Sequence, residues 1–262
     1  MTHKVYACPL TSKDKIISEI LKDKGEDPEL DLSSACFGTR SIEEFEAIMI
    51  SILNHTTTLN LAGNGLYTKL KMQETESGAS VYPLSEFLAS IPPFINHLSL
   101  ASNGLGSRPS ELARALGKLS NTLLTVDLSD NRLDKMPKAG FQSVLSAIPK
   151  SVTQVDLSGH AFSKNQLSWL IEKWLEPSNI QILQIDSKHL SSSMKDRIKK
   201  ILANNRAKAT GCSLSVSSSH SFTFFTPESN PKDTDLDPLS ACRSVDPEEW
   251  EKFINDNPSP PV

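Results

Sequence analysis

The side chains with the clearest chemical potential in this 262-residue chain are four cysteines, because a thiolate is both a nucleophile and a metal ligand. They stand far apart at Cys8, Cys36, Cys212 and Cys242, with no C-x-x-C pair and no histidine at metal-ligand spacing. The spacing therefore supports neither a metal site nor a disulfide framework. We expect unpaired thiols in a reducing compartment such as the cytoplasm.

Catalytic signatures are absent from the sequence as well. There is no phosphate-binding G-x-x-x-x-G-K-[ST], no nucleophile elbow G-x-S-x-G, no zinc-binding H-E-x-x-H and no dinucleotide-binding G-x-G-x-x-G. The six histidines are scattered, and no carboxylate pair is singled out by its spacing. We therefore predict no catalytic residue, no cofactor and no bound metal, and a function other than catalysis.

A different chemistry, recognition by hydrogen bonds and charge, is indicated by one recurring pattern, L-x-L-x-x-N-x-L. Copies of it, some degraded, begin at Leu30, Leu59, Leu98, Val126, Val155 and Leu183, so the steps are 29, 39, 28, 29 and 28 residues. A fixed period of this length is typical of stacked repeats, which build long binding surfaces.

One unit shows which elements each repeat contains. Residues 123–133 alternate apolar and polar, which predicts a strand with one buried face. Residues 141–148 place apolar side chains at i, i+3, i+4 and i+7, which predicts a helix, and Pro137 suits its start. Stacked units therefore predict a parallel sheet with helices packed behind it.

Residues 59–66 (Leu-Asn-Leu-Ala-Gly-Asn-Gly-Leu) and 98–105 (Leu-Ser-Leu-Ala-Ser-Asn-Gly-Leu) resemble leucine-rich repeats of the helix-bearing type found in ribonuclease inhibitor. The resemblance covers about residues 28–203. It implies an α/β leucine-rich repeat solenoid, a horseshoe arc with the parallel sheet on its concave face and the helices on its convex face. It also implies that the chain binds a protein partner, and we expect it to do so as a monomer.

The chain divides into three predicted regions. Residues 1–27 form an N-terminal capping helix whose first turn is capped by Ser12, and residues 28–205 form an array of six repeats. The 39-residue step between the second and third repeats contains an insertion at 67–80. This insertion is either a loop on the binding face or a tolerated surface extension. Residues 206–262 are predicted to be a flexible tail, because polar residues and proline dominate it.

Two apolar clusters interrupt the predicted tail, at Phe222–Phe225 and at Asp246–Ile254. Each could dock on the array or bind a partner as a linear motif. We favour docking on the array for the first cluster and leave both alternatives open for the second.

Asparagine recurs where the chain leaves three of the predicted strands, at Asn64, Asn103 and Asn131. An amide can donate to and accept from backbone groups there, so these residues are predicted to be structural. Ala35, His160 and Lys188 occupy the same position in the other copies. We expect His160 to keep one hydrogen bond, and the copies with Ala35 and Lys188 to be atypical because they end the array.

Residues beside the core leucines are predicted to point out of the concave face, in three rows of six. None of these eighteen positions carries Lys or Arg. From them we predict partner contacts at Glu29, Asp31, Asn60, His97, Ser99, Asp127, Ser129, Gln154, Asp156, Gln184 and Asp186. A short-chained, acidic face favours a protein partner with a basic surface. The alternative is that strand positions simply prefer short polar residues.

Three functional hypotheses remain open. The chain is a free-standing adaptor or inhibitor, or it resembles the leucine-rich repeat effectors that bacterial pathogens deliver into host cells, with Glu248, Glu249 and Glu251 as a C-terminal acidic cluster. The third is an enzyme of the ubiquitin-ligase type that uses Cys242, although the chain left after the repeats is short for such a domain.

Net charge and hydropathy limit the kinds of partner and the location that we expect. The net charge of −4 argues against nucleic acid, and a basic helix near residues 192–203 is better explained as a solvated face. No run of 18 apolar residues occurs, so no membrane span is predicted, and the N-terminus lacks the apolar core of an export signal. We therefore expect a cytoplasmic protein, or one secreted into a host cell by a non-classical route.

Overall fold

A computed structural model of the protein describes residues 2–7, 11–22, 28–67, 73–74, 80–81 and 84–210. The structural statements below concern these residues. Cys8, Cys212 and Cys242, most of the predicted insertion, and the chain beyond Thr210 lie outside them.

Seven short parallel strands form one sheet in the described chain. They are β1 (Thr2–Lys4), β2 (Glu29–Asp31), β3 (Thr58–Asn60), β6 (His97–Ser99), β7 (Thr125–Asp127), β8 (Gln154–Asp156) and β9 (Ile182–Gln184), and they lie side by side in this order. The register pairs Leu30 with Leu59 and continues through the same core position to Leu183. Side chains of successive repeats therefore stack in rows across the sheet.

Helices pack against one side of the sheet. They are α1 (Lys13–Ile20), α2 (Ile42–Ile50), α3 (Leu84–Ala89), α4 (Pro109–Leu116), α5 (Lys138–Ser146), α6 (Lys164–Trp169) and α7 (Ser192–Thr210). Local sequence sets several starts: Ser41 accepts a hydrogen bond from the Glu44 amide, and Ser163 forms a capping box with Gln166. The chain continues from α6 into one π-helical segment, Leu170–Leu175.

A single apolar core lies between sheet and helices and runs from Val5 to Leu202. The strand leucines supply one side of it, and Phe45, Leu112, Leu145 and their equivalents on the helices supply the other. Because each three-residue strand buries at most two side chains, no repeat closes a core alone, and the units are stable only when stacked.

The N-terminal region contains more than the predicted capping helix. β1 precedes α1 and pairs in parallel with β2, and the Val5 amide donates to the Asp31 carbonyl at 3.0 Å. α1 follows with Ser12 as its N-cap and buries Ile16 and Ile20. The array therefore begins one strand earlier than the leucine pattern indicates.

Two further boundaries differ from the sequence analysis. Within the insertion predicted as a loop at 67–80, β4 (Gln73–Glu74) pairs antiparallel with β5 (Ser80–Val81). α7 continues to Thr210, into the region that was assigned to the tail from residue 206. Just before this extension, Asn205 Nδ2 donates to the Ile180 carbonyl at 2.9 Å.

Candidate protein-binding face

The predicted partner contacts lie on the side of the sheet opposite the helices, which we call the sheet face. The strand register aligns Glu29, Thr58, His97, Thr125, Gln154 and Ile182 in a first row. It aligns Asp31, Asn60, Ser99, Asp127, Asp156 and Gln184 in a second row. Ser129 and Asp186 follow two residues after the second row. The eleven predicted residues are therefore brought onto one surface.

Most second-row side chains also stabilise the end of their own strand. Asp127 Oδ1 accepts from the Ser129 amide at 2.9 Å, and Asp156 Oδ1 accepts from the Ser158 amide at 2.8 Å. Asp31, Asn60 and Ser99 make the same bond to the amide two residues on. This Asx-turn geometry needs a short side chain with an acceptor oxygen, so it accounts for the short polar residues of the row. It does not require a negative charge, because Asn60 serves equally well.

Charge is distributed unevenly along the sheet face. At the β1 edge, Lys4 Nζ lies 3.0 Å from Asp31 Oδ2, and Thr2 Oγ1 donates to Glu29 Oε2 at 2.5 Å. Lys4 is a basic residue of the second row, since it pairs with Asp31 in the register. Strand β1 therefore adds a basic side chain beside the eighteen predicted positions, none of which carries Lys or Arg.

The ion pair with Lys4 also shapes the titration of Asp31. Burial opposes the charged form, but hydrogen bonds from Ser33 and the contact with Lys4 outweigh it and lower the pKa of Asp31. Asp31 is 9% exposed and is committed to contacts within the chain. Glu29 and Asp31 therefore have less to offer a partner than the sequence analysis assumed.

Negative charge accumulates toward the other edge, around four residues that we call the acidic end: Asp127, Asp130, Asp156 and Asp186. Asp127 and Asp156 are register partners on adjacent strands, which lie about 4.8 Å apart. Asp186 Oδ2 accepts from the Gly159 amide at 3.0 Å. Ser99 Oγ donates to Asp127 Oδ2 at 2.8 Å.

The titration of Asp130 reflects this accumulation. Partial burial raises the pKa of its carboxyl, and the carboxylates of Asp186, Asp127 and Asp156 raise it further, against an opposing effect of His160. Asp130 has a positive φ of 54° and comes directly before a buried asparagine. Sequence reasoning missed Asp130 because it considered only strand positions and the two residues that follow them, whereas the turn carries Asp130 back toward the same surface.

Below the sheet face, the three predicted asparagines connect neighbouring repeats. Asn103 Nδ2 donates to the carbonyls of Leu61, Leu100 and Ala101, and its Oδ1 accepts from the Asn64 amide at 2.9 Å. Asn64 and Asn131 repeat this pattern in their own units. All three are buried, so their role lies inside the protein and they offer nothing to a partner.

His160 occupies the asparagine position of its repeat and bonds to the last of the three asparagines. Its Nε2 accepts from the Asn131 amide at 3.1 Å, and its Nδ1 lies 2.9 Å from the Leu157 carbonyl. In these two contacts Nε2 accepts and the Nδ1–H group donates. The imidazole therefore reproduces the acceptor and one donor of the asparagine amide that it replaces.

Other candidate chemistry is sparse in the described residues. Cys36 is buried, and its Sγ donates weakly to the Ser34 carbonyl at 3.9 Å. Within the described ranges, no group of three or more His, Cys, Asp or Glu could hold a metal ion. In the same part of the chain, no helix is long and apolar enough to cross a bilayer.

Comparison with known proteins supports the fold. No protein-family model matches the chain, and no curated protein matches it in sequence. Among solved structures, the leucine-rich repeat-containing protein LegL7 from Legionella pneumophila is similar, with a TM-score of 0.63, 24% identity and 77% of this chain covered. This chain spans 62% of the length of that protein.

Two further solved structures show weaker likeness. The tropomodulin C-terminal domain of Caenorhabditis elegans gives a TM-score of 0.40 at 11% identity, over 76% of this chain and 96% of that domain. Actin-binding site 2 of leiomodin-1 gives 0.37 at 11% identity, over 77% of this chain and 93% of its own. Together with the repeated strand, turn and helix, the match to the Legionella pneumophila protein shows that the described part of the chain adopts the leucine-rich repeat fold.

Proposed function

We propose that the chain is a protein-binding module that holds a partner with a basic surface against the acidic end of its sheet face. The leucine-rich repeat fold indicates protein interaction in general, because it presents a wide surface of aligned side chains. The finer assignment depends on the four carboxylates Asp127, Asp130, Asp156 and Asp186.

The placement of these four carboxylates at one end of the sheet face is the observation that carries this assignment. Partial burial is the main cause of the raised pKa of Asp130 and the other three carboxylates add to it, so an approaching cation would favour the charged form of the cluster. Lys or Arg side chains of a partner would relieve the repulsion among the four groups. Asn60, Ser99, Ser129 and Gln154 would add neutral hydrogen bonds beside them.

An alternative explanation for the acidic rows is the strand-end hydrogen bonding described above. That explanation covers Asp127 and Asp156, whose Oδ1 atoms accept backbone amides. It covers Asp130 poorly, because this residue lies in the turn beyond the strand end and its carboxyl has surroundings that raise its pKa. The charge of the acidic end therefore exceeds what local turn chemistry needs.

Photo-crosslinking tests where a partner binds. In one variant, benzoylphenylalanine would replace Thr125, which lies in the first row of the sheet face. In a second variant, it would replace Ser143, which is exposed on α5. We expect crosslinked protein from the Thr125 position and none from the Ser143 position. Crosslinks that form only from Ser143 would place binding on the helices and exclude the sheet face.

We also propose that this binding takes place inside a host cell, as it does for bacterial effectors. The proposal is supported by the fold likeness to a Legionella pneumophila protein and by the acidic C-terminal cluster of Glu248, Glu249 and Glu251. Removal of residues 245–262 should abolish translocation into host cells and leave partner binding unchanged. Translocation at the normal level without these residues would contradict the assignment.

A further inference from the structure

A groove lined by both apolar and polar residues lies between two neighbouring turns that lead from helix to strand. Pro149 and Lys150, before β8, form one wall, and the segment Pro177–Ile180, before β9, forms the other. Trp174 lies between them, and the groove has a volume of about 320 Å³. This side of the molecule is separate from the sheet face.

The groove has apolar side chains at its base and polar residues around them. Trp174 Nε1 donates to the Leu145 carbonyl at 2.7 Å, which holds the indole ring in place. Ile148, Val152 and Ile180, which also line the groove, are buried core residues. Lys150, Lys173 and Asn179 line it as well, so an occupant would remove carbon surface from water and lie beside these polar groups.

Another repeat shows what covers this kind of surface. The turn before β6 carries Phe94 three residues ahead of the strand, and Phe94 packs against the core. Ser151 and Asn179 hold the same place before β8 and β9. The two turns that form the groove therefore lack the aromatic ring that the repeat of β6 carries; the repeat between them, that of β7, has Thr122 at this place.

The chain itself carries aromatic side chains within reach. Asn205 of α7 bonds to the carbonyl of Ile180, a groove residue, and α7 ends five residues later at Thr210, about 7.5 Å along the helix. Phe222 follows Thr210 by 12 residues, a length for which the root-mean-square end-to-end distance of a random coil is roughly 20 Å. Phe222, Phe224 and Phe225 are the first aromatic residues beyond the helix.

We propose that the segment Phe222–Phe225 binds in this groove of its own chain and supplies the missing aromatic contact. The short link holds the segment at an effective concentration of about 1 mM. A site with an intrinsic affinity near 0.1 mM would then be occupied about nine-tenths of the time. Trp250 and Phe253 lie much further along the chain, and closing a longer loop costs more entropy.

Limited proteolysis of the full chain tests the proposal. Chymotrypsin cleaves after exposed phenylalanine, so cleavage at Phe222–Phe225 reports the unbound fraction of the segment. The variant Ser146→Glu/Pro177→Glu places two charges in the groove at exposed positions. We expect cleavage at this segment to become about tenfold faster than in the unmodified chain. Cleavage after Trp250 and Phe253 should keep its rate.

The variant Ser110→Glu/Asn121→Glu is the matched control, since it adds the same charge at exposed positions away from the groove. It should leave every cleavage rate unchanged. Equal cleavage at Phe222–Phe225 in the groove variant and the unmodified chain would overturn the proposal. Protection that disappears on dilution would also overturn it, because it would identify the occupant as a second copy of the chain.

A second measurement keeps the groove itself intact. In a chain with Trp169→Phe and Trp250→Phe, Trp174 is the remaining tryptophan, and acrylamide quenching reports its access to solvent. Replacing Phe222, Phe224 and Phe225 by serine should raise the quenching constant, whereas replacing Leu236 and Leu239 by serine should not. An unchanged constant in the triple variant would contradict docking.

Discussion

At the scale of single residues, the asparagines between repeats carry more hydrogen bonds than any side chain on the sheet face. Asn103 satisfies three buried carbonyls through Nδ2 and accepts from the amides of Asn64 and Leu66. An unsatisfied buried polar group costs about 1–3 kcal/mol, so the loss of several partners adds up. These residues therefore fix the spacing of the turns that hold the rows in register.

The substitution Asn103→Ala should lower the free energy of unfolding by about 3–5 kcal/mol, because it orphans these backbone groups. Urea denaturation of the full chain measures the change. Asn60→Ala is the control, since Asn60 is half-buried and makes one turn bond, and it should cost about 1 kcal/mol. Equal losses from the two substitutions would show that burial of the amide is not the cause.

His160 allows a sharper test of the same row of bonds. His160→Asn should keep the unfolding free energy within about 1 kcal/mol of the unmodified chain, because an amide can replace both ring contacts. His160→Ala should lose about 2–3 kcal/mol, from two buried bonds and the cavity left behind. If both variants lose the same amount, the imidazole serves through its volume alone.

Asp130 gives a pH-dependent prediction. Its pKa is raised in the folded chain, so the folded state retains a proton that the unfolded state releases near the ordinary carboxyl value of 3.8. Stability contributed by this group is therefore full at low pH and is lost as the pH rises through the interval up to the raised value. Asp130→Asn should be more stable than the parent at neutral pH, and the difference should vanish in acid.

Denaturation of both proteins across this pH range measures that difference. Asparagine also suits the positive φ of this position, so the substitution adds no backbone strain. Ser110→Asn, at an exposed helical site without a titratable group, serves as the control and should show no such trend. A stability difference that grows as the pH falls would reverse the assigned direction of the pKa shift.

At the scale of elements, strand β1 was the part that the sequence could not predict. Its residues Thr2–Lys4 carry no leucine pattern, and a three-residue strand with one buried neighbour leaves almost no periodicity to detect. Val5, just after it, is 2% exposed and joins the core. The six later repeats were predictable because the same alternation of apolar and polar residues recurs in each of them, and four of the five steps between them are 28 or 29 residues.

Val5 therefore tests whether β1 belongs to the folded core. Val5→Ala should lower the unfolding free energy by about 1–2 kcal/mol, through lost burial and an incompletely filled cavity. Tyr6→Ala, at a neighbouring residue that is 80% exposed, should change it by less than about 0.5 kcal/mol. Identical values for the two variants would indicate that β1 is detached in solution.

The face of the sheet was only partly predictable for a related reason. Periodicity places Asp127 and Asp156 on the open side of a strand, and the register confirms their alignment. The pairing of Lys4 with Asp31 and the return of Asp130 toward the same surface depend on how the chain turns in three dimensions. The spacing of residues along the sequence does not predict either contact.

At the scale of the whole molecule, charge is divided between the repeats and the segment after them. Residues 1–210 carry 24 of the 27 basic residues and 22 of the 31 acidic ones, so they have a net charge of +2. Residues 211–262 carry −6. The acidic end of the sheet face is thus a local feature of a mildly basic array, which argues that it reflects position and not composition.

The central claim, that the acidic end binds a basic partner surface, is tested most directly by removing its charge without disturbing its hydrogen bonds. Asparagine at positions 127, 130, 156 and 186 keeps an acceptor oxygen at each site. The control is Asp14→Asn/Glu46→Gln/Glu86→Gln/Asp196→Asn, which removes the same charge from exposed helical positions.

The measurement is the dissociation constant, over a range of salt concentrations, for the protein that crosslinks through position 125. We predict that Asp127→Asn/Asp130→Asn/Asp156→Asn/Asp186→Asn weakens binding about tenfold or more at low salt and flattens its salt dependence, while the control variant binds as the unmodified chain does. Unchanged affinity and unchanged salt dependence in the first variant would contradict the account.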